Sequence, residues 1–167
     1  MKTISYLGRD DLPRGMRNNN PGNIIKTNIQ WVGKITPSSD VRFEQFETME
    51  YGLRALYKNL ITKIKRYDGD IASIITEWAP PHENNTQGYI DIVTQRLGKR
   101  TVDLTRPDVI KLAEQIVKIE NGNAGYLLTP EVYGRAFSLL DDEIPNGSLG
   151  QNKAFLPALL LFFASQA

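Results

Sequence analysis

The segment IVKIENGNAGY, residues 116–126, places one acid, Glu120, where an apolar run gives way to Asn-Gly. Val109, Ala113, Ile116 and Glu120 are separated by four, three and four residues, so the acid prolongs one stripe of a helix. It also stands at the carbonyl end, where the helix dipole is negative. Partial burial and that dipole both disfavour the ionised form, so a raised pKa is expected. A carboxylic acid of this kind can protonate a leaving-group oxygen near neutral pH. Helix ends are also commonly wet, and a glutamate beside Asn-Gly can simply face water.

Two further stretches carry chemistry. RGMRNNNPGNI, residues 14–24, sets four asparagines around Pro21. Asn-Pro and Pro-Gly enforce a tight backbone. The amides of Asn19, Asn20 and Asn23 offer paired donors and acceptors suited to neutral sugar hydroxyls and N-acetyl groups; an Asx-turn cluster serving its own backbone is the alternative. EWAPPHENNT, residues 77–86, ends a helix on Trp78, stiffens the link with Pro80 and Pro81, and opens another helix with Glu83 to Thr86. Trp78 could stack on a sugar ring or belong to the core. Glu83, near a helix N-terminus, is expected to stay ionised. Opposite pressures on Glu120 and Glu83 match an acid and its partner.

The elements that must hold these residues are mostly helices. Met49, Leu53, Leu56, Leu60 and Ile64 recur at helical spacing behind Thr48, a natural N-cap. GDIASIITEWA, with Asp70 as cap, predicts a second helix. NNTQGYIDIVTQRLG predicts a third, capped by Asn85 or Thr86, buried through Tyr89, Val93 and Leu97, and closed by Gly98. RPDVIKLAEQIVKIENG and TPEVYGRAFSLL follow, each with proline in its first turn. A final helix is expected from Lys153 or Pro157. Residues 1–22 read as irregular. NIIK, QWVGKI and VRFEQFE carry β-branched and aromatic residues between turn signals, and predict a small antiparallel sheet lobe. The fold class expected is α+β, mainly helical.

Composition narrows the chemistry. The 167-residue chain carries a net charge of +1, which gives no electrostatic reason to expect nucleic acid. The basic run KIKRY, residues 63–67, reads as a solvated helix face. No cysteine is present, which excludes disulfides and thiolate chemistry, and the single histidine, His82, excludes multi-histidine zinc sites. MKTISYLGRDD meets charge early and is not expected to be a secretory signal. FLPALLLFFA near the C-terminus is too short to span a bilayer, so no stable membrane insertion is expected.

Together, RGMRNNNPGNI, F-x-x-M-E-Y-G-L-R-A-L, I-I-T-E-W-A-P-P-x-x-E-N-N-T-x-x-Y-I and I-E-N-G resemble the phage virion-associated proteins of the lysozyme-like class, which include virion muramidases and transglycosylases and are often labelled only as structural proteins. The likeness runs from Arg14 to Tyr126. A more distant likeness is to bacterial glucosaminidases, in which a helix ending in the catalytic glutamate precedes the asparagine segment. Here that helix comes last, which implies a circularly permuted lysozyme-like domain. The domain would span 14–142, after an irregular segment at 1–13 and before an apolar extension or core helix at 143–167. The resemblance implies a peptidoglycan glycosidase with Glu120 as general acid. Asn19, Asn20, Asn23 and Asn85 would hold substituents, and Trp78 and Tyr89 would give ring contacts. No metal or organic cofactor is required. Peptidoglycan strands are the implied partner, with other virion proteins as further candidates. The location implied is the virion, or the host cytoplasm before release. A wall-binding or structural virion protein without turnover is the competing expectation. Glu120 is followed by Asn-Gly where the relatives have Ser-Gly, and no second catalytic carboxylate matches, so hydrolysis and anhydro-forming transglycosylation both stay open.

Overall fold

The computed structural model describes residues 3–143. Six helices follow in order: α1 (Arg14–Arg17), α2 (Met49–Arg66), α3 (Ile71–Trp78), α4 (Thr86–Leu97), α5 (Arg106–Asn121) and α6 (Pro130–Phe137). Two 3-10 turns, Gly122–Leu127 and Ser138–Glu143, flank α6. The helix expected beyond residue 153 lies outside the described residues.

α2 is the axis of the domain. Met49, Leu53, Leu56 and Leu60 are fully buried, as their spacing requires. Its start is set by Thr48, whose side chain accepts from the Tyr51 N–H. α5, α6 and α3 pack around it. α5 contributes Val109, Leu112, Ala113, Ile116 and Val117, all inaccessible to solvent. The valines, Leu112 and Ile116 each contribute roughly 1.5–3 kcal/mol by burial. Asp70, Asn85 and Thr105 cap α3, α4 and α5 by accepting from Ser73, Gly88 and Asp108 N–H groups. Gly98 ends α4 in the left-handed region at φ 67°.

The small antiparallel sheet lobe is not formed, and the α+β, lysozyme-like expectation is corrected on this point. Among the described residues there is no strand, only the isolated bridges Ile25–Phe43, Lys34–Phe46 and Asp70–Thr101. Val41 is 89% exposed, so the segment has no continuous buried face to enforce a ladder. Scattered backbone bonds, such as Glu44 N–H to the Ile24 carbonyl and Ile35 N–H to the Gln45 carbonyl, hold the excursion from 24 to 47 together with side chains. Asp40 accepts two bonds from the Arg14 guanidinium at 2.7 Å, one from Asn18 Nδ2, and the N–H groups of Arg42 and Phe43. Arg14 also stacks over Phe43. Glu44, buried, accepts from the Thr27 N–H and Lys34 Nζ, both at 2.9 Å. A second correction concerns residues 1–22, where a one-turn helix, α1, interrupts the irregular chain.

The run at 63–67 is not simply a solvated face. Lys63 and Ile64 are buried, and Lys63, Arg66 and Tyr67 all donate to Glu77 across to α3. Hydrogen bonds from Lys63 and Tyr67 hold the Glu77 carboxyl down to about 2. Its folded-state affinity for a proton is below the unfolded one. The stabilisation is therefore complete above the ordinary value of 4.5 and is lost as pH falls toward 2. With screening at this partly exposed pair, the loss should be about 1–2 kcal/mol. The Arg14 guanidinium depresses Asp40 in the same direction. Urea midpoints measured from pH 6 to pH 2 should fall along this window in the wild type. The fall should be shallower in Glu77→Gln.

Candidate active site

Four segments distant in sequence converge on Glu120. α5 delivers the acid in its last turn, half-buried, at the end of the stripe formed by Val109, Ala113 and Ile116. Oε2 accepts from Asn23 Nδ2 at 2.9 Å. Oε1 accepts from Trp78 Nε1 at 3.3 Å and from the Tyr89 hydroxyl at 3.2 Å. Trp78 closes α3, Tyr89 lies in the first turn of α4, and Asn23 sits in the turn after α1 with φ 51°. Burial, and then the Glu120 charge, push the Tyr89 phenol well above its usual range, so it stays a donor. An ionised carboxylate has about four acceptor positions. Three are used here, which leaves room at Oε2 for a proton or for a ligand hydroxyl.

Glu120 borders a cavity of about 700 Å³. One wall is the excursion, with Asn23, Ile24, Ile25, Arg42 and Phe43. The other combines α2 (Asn59, Lys63), the end of α3 (Glu77, Trp78) and the α3–α4 connection (Glu83, Asn84). Three carboxylates therefore line one cleft. Glu77 is ion-paired to Lys63 and Arg66. Glu83 is exposed and lies 3.5 Å from Arg42 and 3.4 Å from His82. Glu120 differs, because its three partners among the described residues are all neutral donors.

Of the residues expected at the site, Asn23, Trp78, Glu83 and Glu120 border the cleft. Tyr89 is 8% exposed and reaches Glu120 from behind; it orients the acid rather than offering a ring to a ligand. Asn85 is spent capping α4. Asn19 and Asn20, expected to hold sugar substituents, are fully buried and serve the chain itself. Asn19 accepts from the Tyr6 N–H and donates to the Phe46 and Glu47 carbonyls. Asn20 ties the Ile24 N–H and carbonyl to the Glu44 carbonyl. Removing such a side chain leaves buried backbone groups without partners, at about 1–3 kcal/mol each. Asn19→Ala should lower unfolding free energy by about 3 kcal/mol, read from denaturant midpoints, with unchanged ligand affinity in the fraction that stays folded.

Sequence reasoning missed Asn121. Its amide donates to the Pro21 carbonyl at 2.7 Å and to the Val117 carbonyl at 2.9 Å, tying the end of α5 to the asparagine turn. The signal was a polar residue directly after the acid, which Asn-Gly as a helix stop concealed. Lys63 and Asn59 of the cleft wall were missed as well, because the period of α2 indicates burial without indicating a neighbour.

No family model matches the chain. Protein P5 of Pseudoalteromonas phage PM2 is 36% identical over 125 residues, covering 70% of this chain and 76% of the relative. The chain belongs to the family of that phage protein. The relative's name specifies no activity or ligand, and the likeness to lysozyme-like enzymes rests on the motifs alone. No helix among the described residues is long and apolar enough to cross a membrane.

Proposed function

We propose that this phage protein is a glycosidase that cleaves the amino-sugar backbone of peptidoglycan, with Glu120 as general acid. The observation that carries the reading is the setting of Glu120. It is a half-buried carboxyl on the wall of a large polar cleft, held by Asn23, Trp78 and Tyr89, with no cationic partner among the described residues. The cleft has room for more than one sugar, and neutral hydroxyl and amide groups suit its asparagines.

In the proposed reaction Glu120 supplies a proton to the glycosidic oxygen as the C1–O bond breaks. Positive charge develops on the sugar ring, and the acid becomes a carboxylate. The three donors already face that carboxylate, so its new charge is stabilised without rearrangement. Water then attacks C1, or the sugar's own 6-hydroxyl does so and leaves an anhydro end, and the proton shed by the attacking oxygen returns to the Glu120 carboxylate. Glu83, which lines the same cleft, is the candidate partner carboxylate.

A second reading is a glycan-binding virion component without turnover. It draws on the kinship with a phage protein and on the three donors of the chain that already occupy most of the acceptor positions of Glu120. Purified peptidoglycan incubated with the protein separates the two. Soluble fragments with reducing or anhydro ends, seen by mass spectrometry, support catalysis. Sedimentation of intact protein with the wall and no fragments supports binding alone.

A further inference from the structure

Two buried amide oxygens near Glu120 have no hydrogen-bond partner: Asn23 Oδ1 and Asn121 Oδ1. Both point at Gly15. A β-carbon on residue 15 would stand 2.4 Å from Asn121 Oδ1, 2.8 Å from Asn23 Oδ1 and 3.1 Å from the Asn20 carbonyl. The orientations are not interchangeable. Asn23 must turn Nδ2 toward Glu120, and Asn121 must turn Nδ2 toward Pro21 and Val117, so each oxygen is directed onto Gly15. Gly15 lies in α1 outside the left-handed region, so its conformation does not require glycine. Only the close approach does.

From this geometry we propose that Gly15 and Asn121 are positioning residues for Glu120, an inference that rests on the catalytic reading of that acid. The chain of contact is short. Gly15 permits both amides to close in. Asn121 pins the Pro21 carbonyl and so sets the turn carrying Asn23. Asn23 holds Oε2 of Glu120 from the side opposite Trp78 and Tyr89.

The Trp78 indole N–H reports on this arrangement without any need for turnover, because it donates to Glu120 Oε1. Its resonance in a ¹H–¹⁵N spectrum is identified by its loss in Trp78→Phe, and Trp31 serves as the internal reference. Gly15→Ala should shift the Trp78 indole resonance, leave that of Trp31 in place, and cut the rate of glycan fragment release at least tenfold with little change in wall binding. Asn121→Ala removes the anchor without adding bulk and should displace the same resonance, which keeps the test open if Gly15→Ala folds poorly. Variants that fold with an unmoved Trp78 resonance and an unchanged rate overturn the proposal. If the resonance moves while the wild type releases no fragments, positioning stands and the glycosidase reading fails.

Discussion

Glu120→Gln is expected to slow the release of soluble peptidoglycan fragments by about a thousandfold, the usual contribution of a positioned general acid, while the protein stays folded and still sediments with cell walls. The amide is isosteric with the acid but has no proton to give to the glycosidic oxygen. Its oxygen can still accept from Trp78 and Tyr89. Its Nε2 would meet the Asn23 Nδ2 donor, and that conflict is relieved if the Asn23 amide turns over. The melting temperature should therefore fall only modestly. Turbidity clearance and product mass spectrometry measure the rate; circular dichroism confirms the fold. Equal clearance by the variant and the wild type would remove Glu120 from the chemistry altogether.

The largest stability effect should come from Gly52→Ala. Gly52 faces the asparagine turn from within α2, and a β-carbon there would lie 1.8 Å from the Asn19 carbonyl oxygen. That oxygen belongs to backbone pinned on both sides. The Asn19 side chain is bonded to Phe46 and Glu47, and the Phe46 N–H donates to the neighbouring Asn18 carbonyl. Neither α2 nor the turn can give way without opening the other. Alanine normally strengthens a helix interior by up to about 1 kcal/mol over glycine. Here the sign reverses, with an expected loss of more than about 3 kcal/mol. Urea denaturation would measure it, and a neutral or stabilising result would mean that the turn does not sit on α2 as described. Because the same turn carries Asn23, any folded fraction should also release fragments more slowly.

The helices were largely legible before the fold was known. Leu53, Leu56 and Leu60 announce a buried face because a helix repeats every 3.6 residues. Thr48, Asp70 and Asn85 announce starts because a short side-chain oxygen satisfies a free N–H. These are relations among residues a few positions apart. The sheet lobe failed for the opposite reason. Aromatic and β-branched content suggests extended chain, but a ladder needs a buried face, and Val41 has none. The same limit applied to the amides. Asn19, Asn20 and Asn23 look equivalent in NNNPGN, yet the first two face Glu44, Phe46 and Glu47, and the third faces Glu120.

Local chemistry was thus enough to find the helices, their caps and the unusual acid at the end of a buried stripe, because each depends on near neighbours along the chain. Which amide serves the backbone and which serves the cleft depends on packing between segments far apart in the chain, 97 residues for Asn23 and Glu120 and 100 for Asn121 and Pro21. So does the meeting of Trp78 and Tyr89 on one carboxylate. Only the tertiary structure decides these, since hydrogen bonds of this kind form where folded segments happen to abut, and no periodicity in the sequence records it.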